Sequence, residues 1–223
     1  MKTHLTCMAG LALLANTAAQ AGGGMEGYGI PPNMNFYGGV SAGGVQQDGA
    51  CQPIANTENC EKSATGYKVF AGTRLEPRAN GALLPSLGVE GGYIDLGTSK
   101  ADGEILSTRN IALGDAKASS DVSAVYVAGV GYLPVAPQTE VVGKAGLAYW
   151  QQKGKIEVPA DPALGSSSNN SGLGLMLGGG AQFKVTENIS IRGEYEHIFG
   201  TGKDTDYESD AGLYSVGAIF STL

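Results

Sequence analysis

The residues best placed to do chemistry lie between positions 189 and 199, where charged and apolar residues alternate. Successive side chains of an extended strand point to opposite faces. Arg192, Glu194 and Glu196 would therefore share one face, and Ile189, Ile191, Gly193, Tyr195 and His197 would share the other. A basic residue that faces lipid at mid-bilayer costs about 2–4 kcal/mol. A membrane strand of this sequence thus tolerates one orientation, with the charges turned inward.

Three other predicted strands supply charges on the same inward phase. The complete set mixes both signs and consists of Lys68, Arg74, Glu90, Lys144, Arg192, Glu194 and Glu196. Such a set can form a gated ion path or a paired polar plug. Unpaired charges in a confined space are costly, which favours the plug. Within it, we expect Glu194 to pair with Lys144 or Arg192.

Two cysteines, Cys51 and Cys60, lie in one polar segment. In an exported protein they predict a disulfide that orders a loop. Neither cysteine has a neighbour of the kind that binds a metal, so no metal site or cofactor is expected.

Alternating acidic residues near the C-terminal end resemble a calcium-binding loop. They are Asp204, Asp206, Glu208 and Asp210. Ser209 and Ser215 stand where such a loop needs glycine and glutamate. A solvated acidic loop is the favoured interpretation.

His197 is the one histidine that remains beyond the N-terminal segment. Lipid-cleaving barrel enzymes would need a nucleophile beside it. No serine lies two positions away on its strand, and the adjacent Glu196 points to the opposite face. We therefore expect a histidine at the barrel rim, and no enzymatic activity.

Composition restricts the class of protein. The 223 residues include 36 glycines, 16% are charged, and the mean hydropathy is −0.04. No run reaches the roughly 18–20 apolar residues of a spanning helix. Residues 1–21 predict a secretory signal peptide, with Lys2 before a short apolar run and Ala19-Gln20-Ala21 as the cleavage site. A formal net charge of −7 argues against nucleic acid as a partner.

The remaining chain predicts a flexible lead-in over 22–34 and one barrel domain over 35–223. Short turns and long polar segments (46–64, 97–120, 151–171 and 200–210) alternate between strands of at least about nine residues, the length that a tilted membrane strand needs. The fold class is thus all-β, an eight-stranded antiparallel transmembrane up-and-down β-barrel. The predicted strands are 36–45, 66–75, 86–96, 122–133, 141–150, 172–185, 189–199 and 212–223.

The fourth predicted strand, 122–133, is apolar on both faces. We expect one set of side chains to face lipid, although Val125 and Val127 occupy the opposite face. The lipid-facing set is Ala124, Tyr126, Ala128, Val130 and Tyr132.

Five short motifs in order resemble the OmpA-like outer membrane β-barrel (porin-like) family, barrel domain only. They are Phe36-Tyr37-Gly38-Gly39, Gly66-Tyr67-Lys68-Val69-Phe70-Ala71-Gly72, Gly91-Gly92-Tyr93-Ile94-Asp95-Leu96-Gly97, Gly143-Lys144-Ala145-Gly146-Leu147-Ala148-Tyr149-Trp150 and Arg192-Gly193-Glu194-Tyr195-Glu196-His197. The resemblance implies charges paired inside an eight-stranded barrel in the outer membrane of a Gram-negative bacterium. It also implies insertion by the barrel assembly machinery with periplasmic chaperones, among outer-membrane lipids and lipopolysaccharide.

The last strand resembles the family's terminal targeting strand through Gly217 and Phe220, although the chain ends in Leu223 instead of an aromatic residue. The peptidoglycan-binding domain of full-length OmpA is not expected here. The sequence thus predicts a structural, envelope-integrity role with weak non-specific permeability. An adhesin or host-interaction protein that binds through its loops is the alternative, and an outer-membrane lipid hydrolase comes third.

Overall fold

The computed structural model describes residues 34–47, 55–61, 63–75, 85–106, 112–158, 165–200 and 210–222. Over these ranges no helix is long and apolar enough to cross a membrane. The described residues form one antiparallel sheet of nine strands. The predicted signal peptide, almost all of the lead-in, Cys51 and the acidic positions 204–208 lie outside the described residues.

The nine described strands follow one another along the chain. They are β1 (Met34–Gln47), β2 (Ala55–Glu61), β3 (Ser63–Leu75), β4 (Ser86–Leu106), β5 (Ala112–Ala136), β6 (Thr139–Glu157), β7 (Ser166–Lys184), β8 (Ile189–Ile198) and β9 (Ala211–Ser221).

The sheet closes on itself. β1 pairs with β3 on one side and with β9 on the other, and β4 pairs with both β3 and β5. Eight strands therefore form a ring, and β2 continues along β4 beyond the end of β3, from Glu61 opposite Lys100. The predicted eight-stranded antiparallel barrel is confirmed.

The outer face of the barrel is apolar, as lipid contact requires. Side chains that point outward alternate with buried ones along the membrane-spanning parts of the eight barrel strands. Outward residues with more than half of their surface exposed include Val40, Leu87, Val89, Val125, Val127, Leu173 and Val216.

The orientation predicted for 122–133 is wrong. Tyr126 and Tyr132 are 6% and 2% exposed inside the barrel, whereas Val125 and Val127 are 51% and 56% exposed outside. Both faces are apolar, so hydrophobicity does not decide between them. The tyrosine hydroxyls decide it, because inside the barrel they reach charged partners that lipid cannot offer.

Three of the predicted loops are largely strand, and β2 lies within one of them, 46–64. The β4–β5 ladder continues to Leu106 opposite Ala112, and the β6–β7 ladder continues to Ile156 opposite Ser166. Polar side chains on both faces are compatible with a sheet that stands in water above the membrane. Polarity alone therefore does not distinguish such a ribbon from a loop.

A bulge marks the start of the β4 extension. The register with β5 shifts between Asp95 and Thr98. Gly97 lies there with a φ of +71°, a conformation that favours glycine. Its N–H donates to Asp95 Oδ1 at 2.8 Å, which fixes the kink.

The two ends of the barrel differ. Tight turns at 137–138 and 185–188 join strands at one end, and the β4–β5 and β6–β7 ladders extend beyond the barrel at the other. In outer-membrane barrels the short turns face the periplasm and the long loops face outside. β2 and β4 to β7 therefore extend on the extracellular side.

The lumen is layered along its axis. Its extracellular half is filled by apolar side chains, all at most 2% exposed: Val45, Ile94, Leu96, Trp150, Met176, Ile198 and Leu213. Gly172 permits this packing, because a Cβ there would lie 2.7 Å from the Trp150 ring. Charged side chains occupy the middle of the lumen, below this apolar layer.

Candidate functional site: the charged centre of the lumen

Six of the seven predicted lumen charges meet in one cluster at the middle of the barrel, and none has more than 2% of its side chain exposed. β3, β4 and β6 each contribute one residue, and the alternation of β8 contributes three. We call this set the charged centre: Lys68, Glu90, Lys144, Arg192, Glu194 and Glu196.

Glu90 is the hub of the charged centre. Its Oε1 accepts hydrogen bonds from the Tyr126 hydroxyl at 2.6 Å and from Lys144 Nζ at 2.6 Å. Its Oε2 accepts from Arg192 Nη1 at 2.8 Å and from the Tyr37 hydroxyl at 3.0 Å. One fully buried carboxylate therefore links β4 to β1, β5, β6 and β8.

The two lysines share the other two carboxylates. Lys68 Nζ donates to Glu194 Oε1 and, at 2.9 Å each, to both oxygens of Glu196. Lys144 Nζ lies 2.5 Å from Glu194 Oε2 and 3.0 Å from Glu196 Oε1. Of the two partners expected for Glu194, the structure thus places Lys144 beside it, and Lys68 is a partner that the sequence reasoning did not consider.

Arg192 is held by more than its carboxylate partner. Besides the bond to Glu90, its Nε and Nη2 donate to Gln182 Oε1 at 3.0 and 2.8 Å. Nη2 also reaches the Tyr132 hydroxyl at 3.4 Å. The guanidinium is thereby fixed in one orientation across the lumen.

An aromatic ring lies among the three cations. Phe70 has Lys68 Nζ at 4.7 Å from its ring centroid, Arg192 Cζ at 5.4 Å and Lys144 Nζ at 5.5 Å. A ring face attracts cations at such distances. The Phe70 ring therefore fills the space between these like charges and attracts each of them.

Arg74 does not join the charged centre. It forms a two-bond pair with Glu140 nearer the periplasmic end, at 2.8 and 2.6 Å, and each side chain is 13% exposed. Its guanidinium stacks 4.4 Å from the centroid of the Tyr132 ring. This second pair lies at the mouth of the barrel and is reached by water.

The sequence pattern does not predict the uncharged hydrogen-bond partners of the lumen charges, or the acid that pairs with Arg74. Tyr37 and Gln182 lie on the predicted inward phase of their strands, which was the available signal. Tyr126 and Tyr132 were placed on the wrong face, and Glu140 lies one residue before the predicted start of its strand at 141. The inward phase of β1 and β7, together with a side chain that can form hydrogen bonds, identifies Tyr37 and Gln182.

The other candidate residues do not form a site with the charged centre. The backbone of Cys60 lies in β2, and the predicted disulfide stays a prediction. His197 lies at the extracellular end of β8 with its Nε2 3.2 Å from Asp210 Oδ2 and its Nδ1 3.0 Å from the Tyr195 hydroxyl. Within the described residues no group of histidine, cysteine or acidic side chains could hold a metal ion.

The chemistry of the charged centre is that of mutual neutralisation. Three cations face three carboxylates, and each carboxylate contacts at least two cations. Buried charges are tolerated when they are paired and hydrogen-bonded. The arrangement holds strands together and fills the lumen.

Comparisons with solved structures find outer-membrane proteins. Ail, the attachment invasion locus protein of Yersinia pestis, is 17% identical with a TM-score of 0.48, over 85% of this chain and 98% of that chain. A major outer membrane protein from Thermus thermophilus is 16% identical with a TM-score of 0.48, over 84% and 98%. Neisserial surface protein A is 14% identical with a TM-score of 0.41, over 83% and 96%.

A comparison with curated protein sequences finds no match. The family model described as the OmpA-like transmembrane domain matches residues 31–222. This match covers most of the chain, which folds as a closed eight-stranded barrel. The chain therefore belongs to the OmpA-like transmembrane domain family and is a protein of the Gram-negative outer membrane.

Proposed function

We propose that this protein is a structural component of the outer membrane that contributes to envelope integrity and has at most weak, non-specific permeability. The observation that carries the proposal is the filled lumen. The charged centre neutralises itself across the barrel, and an apolar layer closes the extracellular half above it. A hydrated solute would have to separate buried ion pairs and enter hydrocarbon-like packing, and both steps are unfavourable.

Solute flux tests this proposal. The purified barrel is reconstituted in liposomes, and swelling is followed in arabinose and sucrose beside empty liposomes and liposomes that contain a general porin. We expect swelling close to that of empty liposomes. Swelling at the rate of the porin sample would contradict a filled lumen.

The extracellular sheet favours a second candidate function, binding of a surface ligand. β7 residues 166–174 pair with β6 on one edge, while β8 reaches β7 only from Met176 onward. This stretch carries Ser, Asn, Gly and Leu with no charge or proline. Within the described residues this edge has no strand partner, and such a polar edge on a rigid barrel offers backbone groups to a ligand.

Cell adhesion tests the second candidate. The control variant replaces residues 152–170 by Asn-Gly, a two-residue hairpin turn, and leaves the barrel strands intact. Binding of the purified protein to host cells that the shortened variant loses would support an adhesin. Equal binding by both proteins would exclude the β6–β7 extension as the binding surface.

We further propose export through a signal peptide cleaved after Ala21, insertion by the barrel assembly machinery with periplasmic chaperones, and a Cys51–Cys60 disulfide. The acidic, glycine-rich barrel and its outer-membrane location support these steps. Intact mass of the mature protein tests the cleavage site. A mass that rises on alkylation only after reduction tests the disulfide.

We propose no lipid hydrolase activity. The ring nitrogens of His197 contact a tyrosine hydroxyl and a carboxylate, and neither partner is a serine. Fatty-acid release from outer-membrane lipid by the purified barrel would contradict this.

A further inference from the structure

A groove crosses the outer face of the barrel over β7, β8, β9 and β1. Its volume is about 420 Å³. Tyr214 and Val216 are 52% and 64% exposed on its walls. The outward residues that line the groove are Ala42, Gly179, Gly193, Tyr195, Tyr214 and Val216.

The packing of the barrel does not require the glycines on the floor of this groove. A Cβ on Gly193 would meet no atom within 4 Å, and a Cβ on Gly179 would meet only Val142 O at 3.7 Å. By contrast, a Cβ on the inward Gly146 would lie 2.1 Å from a backbone oxygen. Larger outward side chains would fit at Gly193 and Gly179. The hollow therefore exists because these two surface positions lack side chains.

Tyr195 leaves the floor uncovered because it leans toward the extracellular end. Its ring packs 4.4 Å from that of Tyr214, its cross-strand partner. Its hydroxyl lies 3.0 Å from His197 Nδ1, and a Cβ on Gly212 would come within 2.9 Å of that hydroxyl. Tyr195 thus covers Gly212 and leaves Gly193 bare.

A polar collar lies directly above the groove on its extracellular side. It consists of the Tyr195 hydroxyl, the His197 ring and the Asp210 carboxylate, joined by contacts of 3.0 and 3.2 Å. His197 lies four positions after Gly193 along β8, which is about 13 Å of strand. An apolar slot below a polar group matches the form of a fatty acyl chain below its head group.

We propose that this groove seats one acyl chain of a lipopolysaccharide molecule in the outer leaflet. The groove is open and continuous with the lipid-facing wall, where hydrocarbon is the medium. The collar lies toward the long loops, so the head group belongs to the extracellular leaflet, which lipopolysaccharide occupies. Like the proposed function, this inference requires that the barrel spans the outer membrane. It does not depend on whether the lumen is closed.

Native mass spectrometry of the purified barrel in detergent tests the site, with deep-rough lipopolysaccharide titrated in. Gly193→Leu fills the slot with a side chain. Gly129→Leu is the matched control, since Gly129 is an outward glycine on β5 whose Cβ would meet one atom at 3.8 Å. We expect about tenfold weaker retention of the first bound lipid for Gly193→Leu and unchanged retention for Gly129→Leu.

Three results would overturn the proposal: wild-type retention by Gly193→Leu, an equal loss by Gly129→Leu, or phosphatidylethanolamine retained as tightly as lipopolysaccharide by the wild type. Heat-modifiable migration of each variant on electrophoresis confirms that it has folded. Liposome swelling by Gly193→Leu should equal that of the wild type, which separates a failure of this site from a failure of the lumen proposal.

Discussion

Glu90 shows how one buried side chain can organise a membrane barrel. Four donors from four other strands converge on its two oxygens. Because the side chain is fully buried, none of these contacts is weakened by water. The carboxylate is therefore both the counter-charge for two cations and a cross-link between strands that are distant in sequence.

Glu90→Gln keeps the shape of the side chain and removes its charge. Lys144 and Arg192 then lack their shared counter-charge in a buried site, a defect of about 3–5 kcal/mol. We expect a fall of that size in the free energy of unfolding, measured by urea titration in lipid vesicles. The control is Glu140→Gln, whose partly exposed pair with Arg74 should contribute about 1 kcal/mol or less. Equal losses for the two variants would show that burial does not set the strength of these pairs.

The sequence identifies which side chains are inside more reliably than it identifies their partners. Alternation around Arg192 or Lys144 reveals the face of the strand. The pairing of Arg74 with Glu140, however, depends on how far the strands are staggered around the barrel, and no single-strand pattern contains that information. The error at Tyr126 has a related cause, since its hydroxyl turns inward for a carboxylate on another strand.

At the scale of elements, β6 and β7 form the wall that supports the apolar layer. Trp150 is the one tryptophan of the chain and is 2% exposed. Its ring lies against Gly172 on the next strand, in direct register. This contact forms because Gly172 has no side chain and leaves room for the large indole ring of Trp150.

Gly172→Val should displace the indole ring. A Cβ at this position would lie 2.7 and 2.9 Å from two ring carbons, and such overpacking costs about 1–3 kcal/mol. We expect the tryptophan emission to shift to longer wavelength, together with a loss of stability in that range. Gly129→Val is the comparison, because its side chain would enter open space and leave the emission unchanged. An unshifted spectrum for Gly172→Val would mean that Trp150 does not depend on this contact.

Strand identity could be predicted, but strand length could not. The apolar alternation that defines 172–185 ends where lipid contact ends. Residues 166–171 read as loop, since they are serine and asparagine only. Their pairing with Gln151–Ile156 comes from continuing a ladder that the membrane strands have already begun. The sequence contains no local signal of this continuation.

For the whole molecule, closure is the decisive property. β9 completes the ring by pairing with β1 from Tyr37–Ser221 to Gln47–Ala211 and with β8 along its full length. Composition, turn spacing and strand count were sufficient to predict this ring, because an open sheet edge cannot face lipid. The layering of the lumen could not be predicted in the same way, because it depends on which inward residues share a level.

A chain that ends at Asp210 should fail to close. We expect it to lack the heat-dependent change in electrophoretic migration that the full chain shows, since two strand edges would remain unpaired. The shortened β6–β7 variant, with 152–170 replaced by Asn-Gly, should keep that change. Heat-dependent migration of the chain that lacks β9 would contradict a ring of eight strands.

The extension of the barrel above the membrane is lopsided. In the described part of the chain, β2 and β4 to β7 rise as a wall, whereas β8, β9 and β1 stop near Ile198, Ala211 and Gln47. A large molecule that approaches the described part of the barrel along the cell surface therefore meets a wall of strands on one flank and no such wall on the other. This asymmetry gives the described part a front and a back, and neighbours in a crowded membrane should pack against it in a preferred direction.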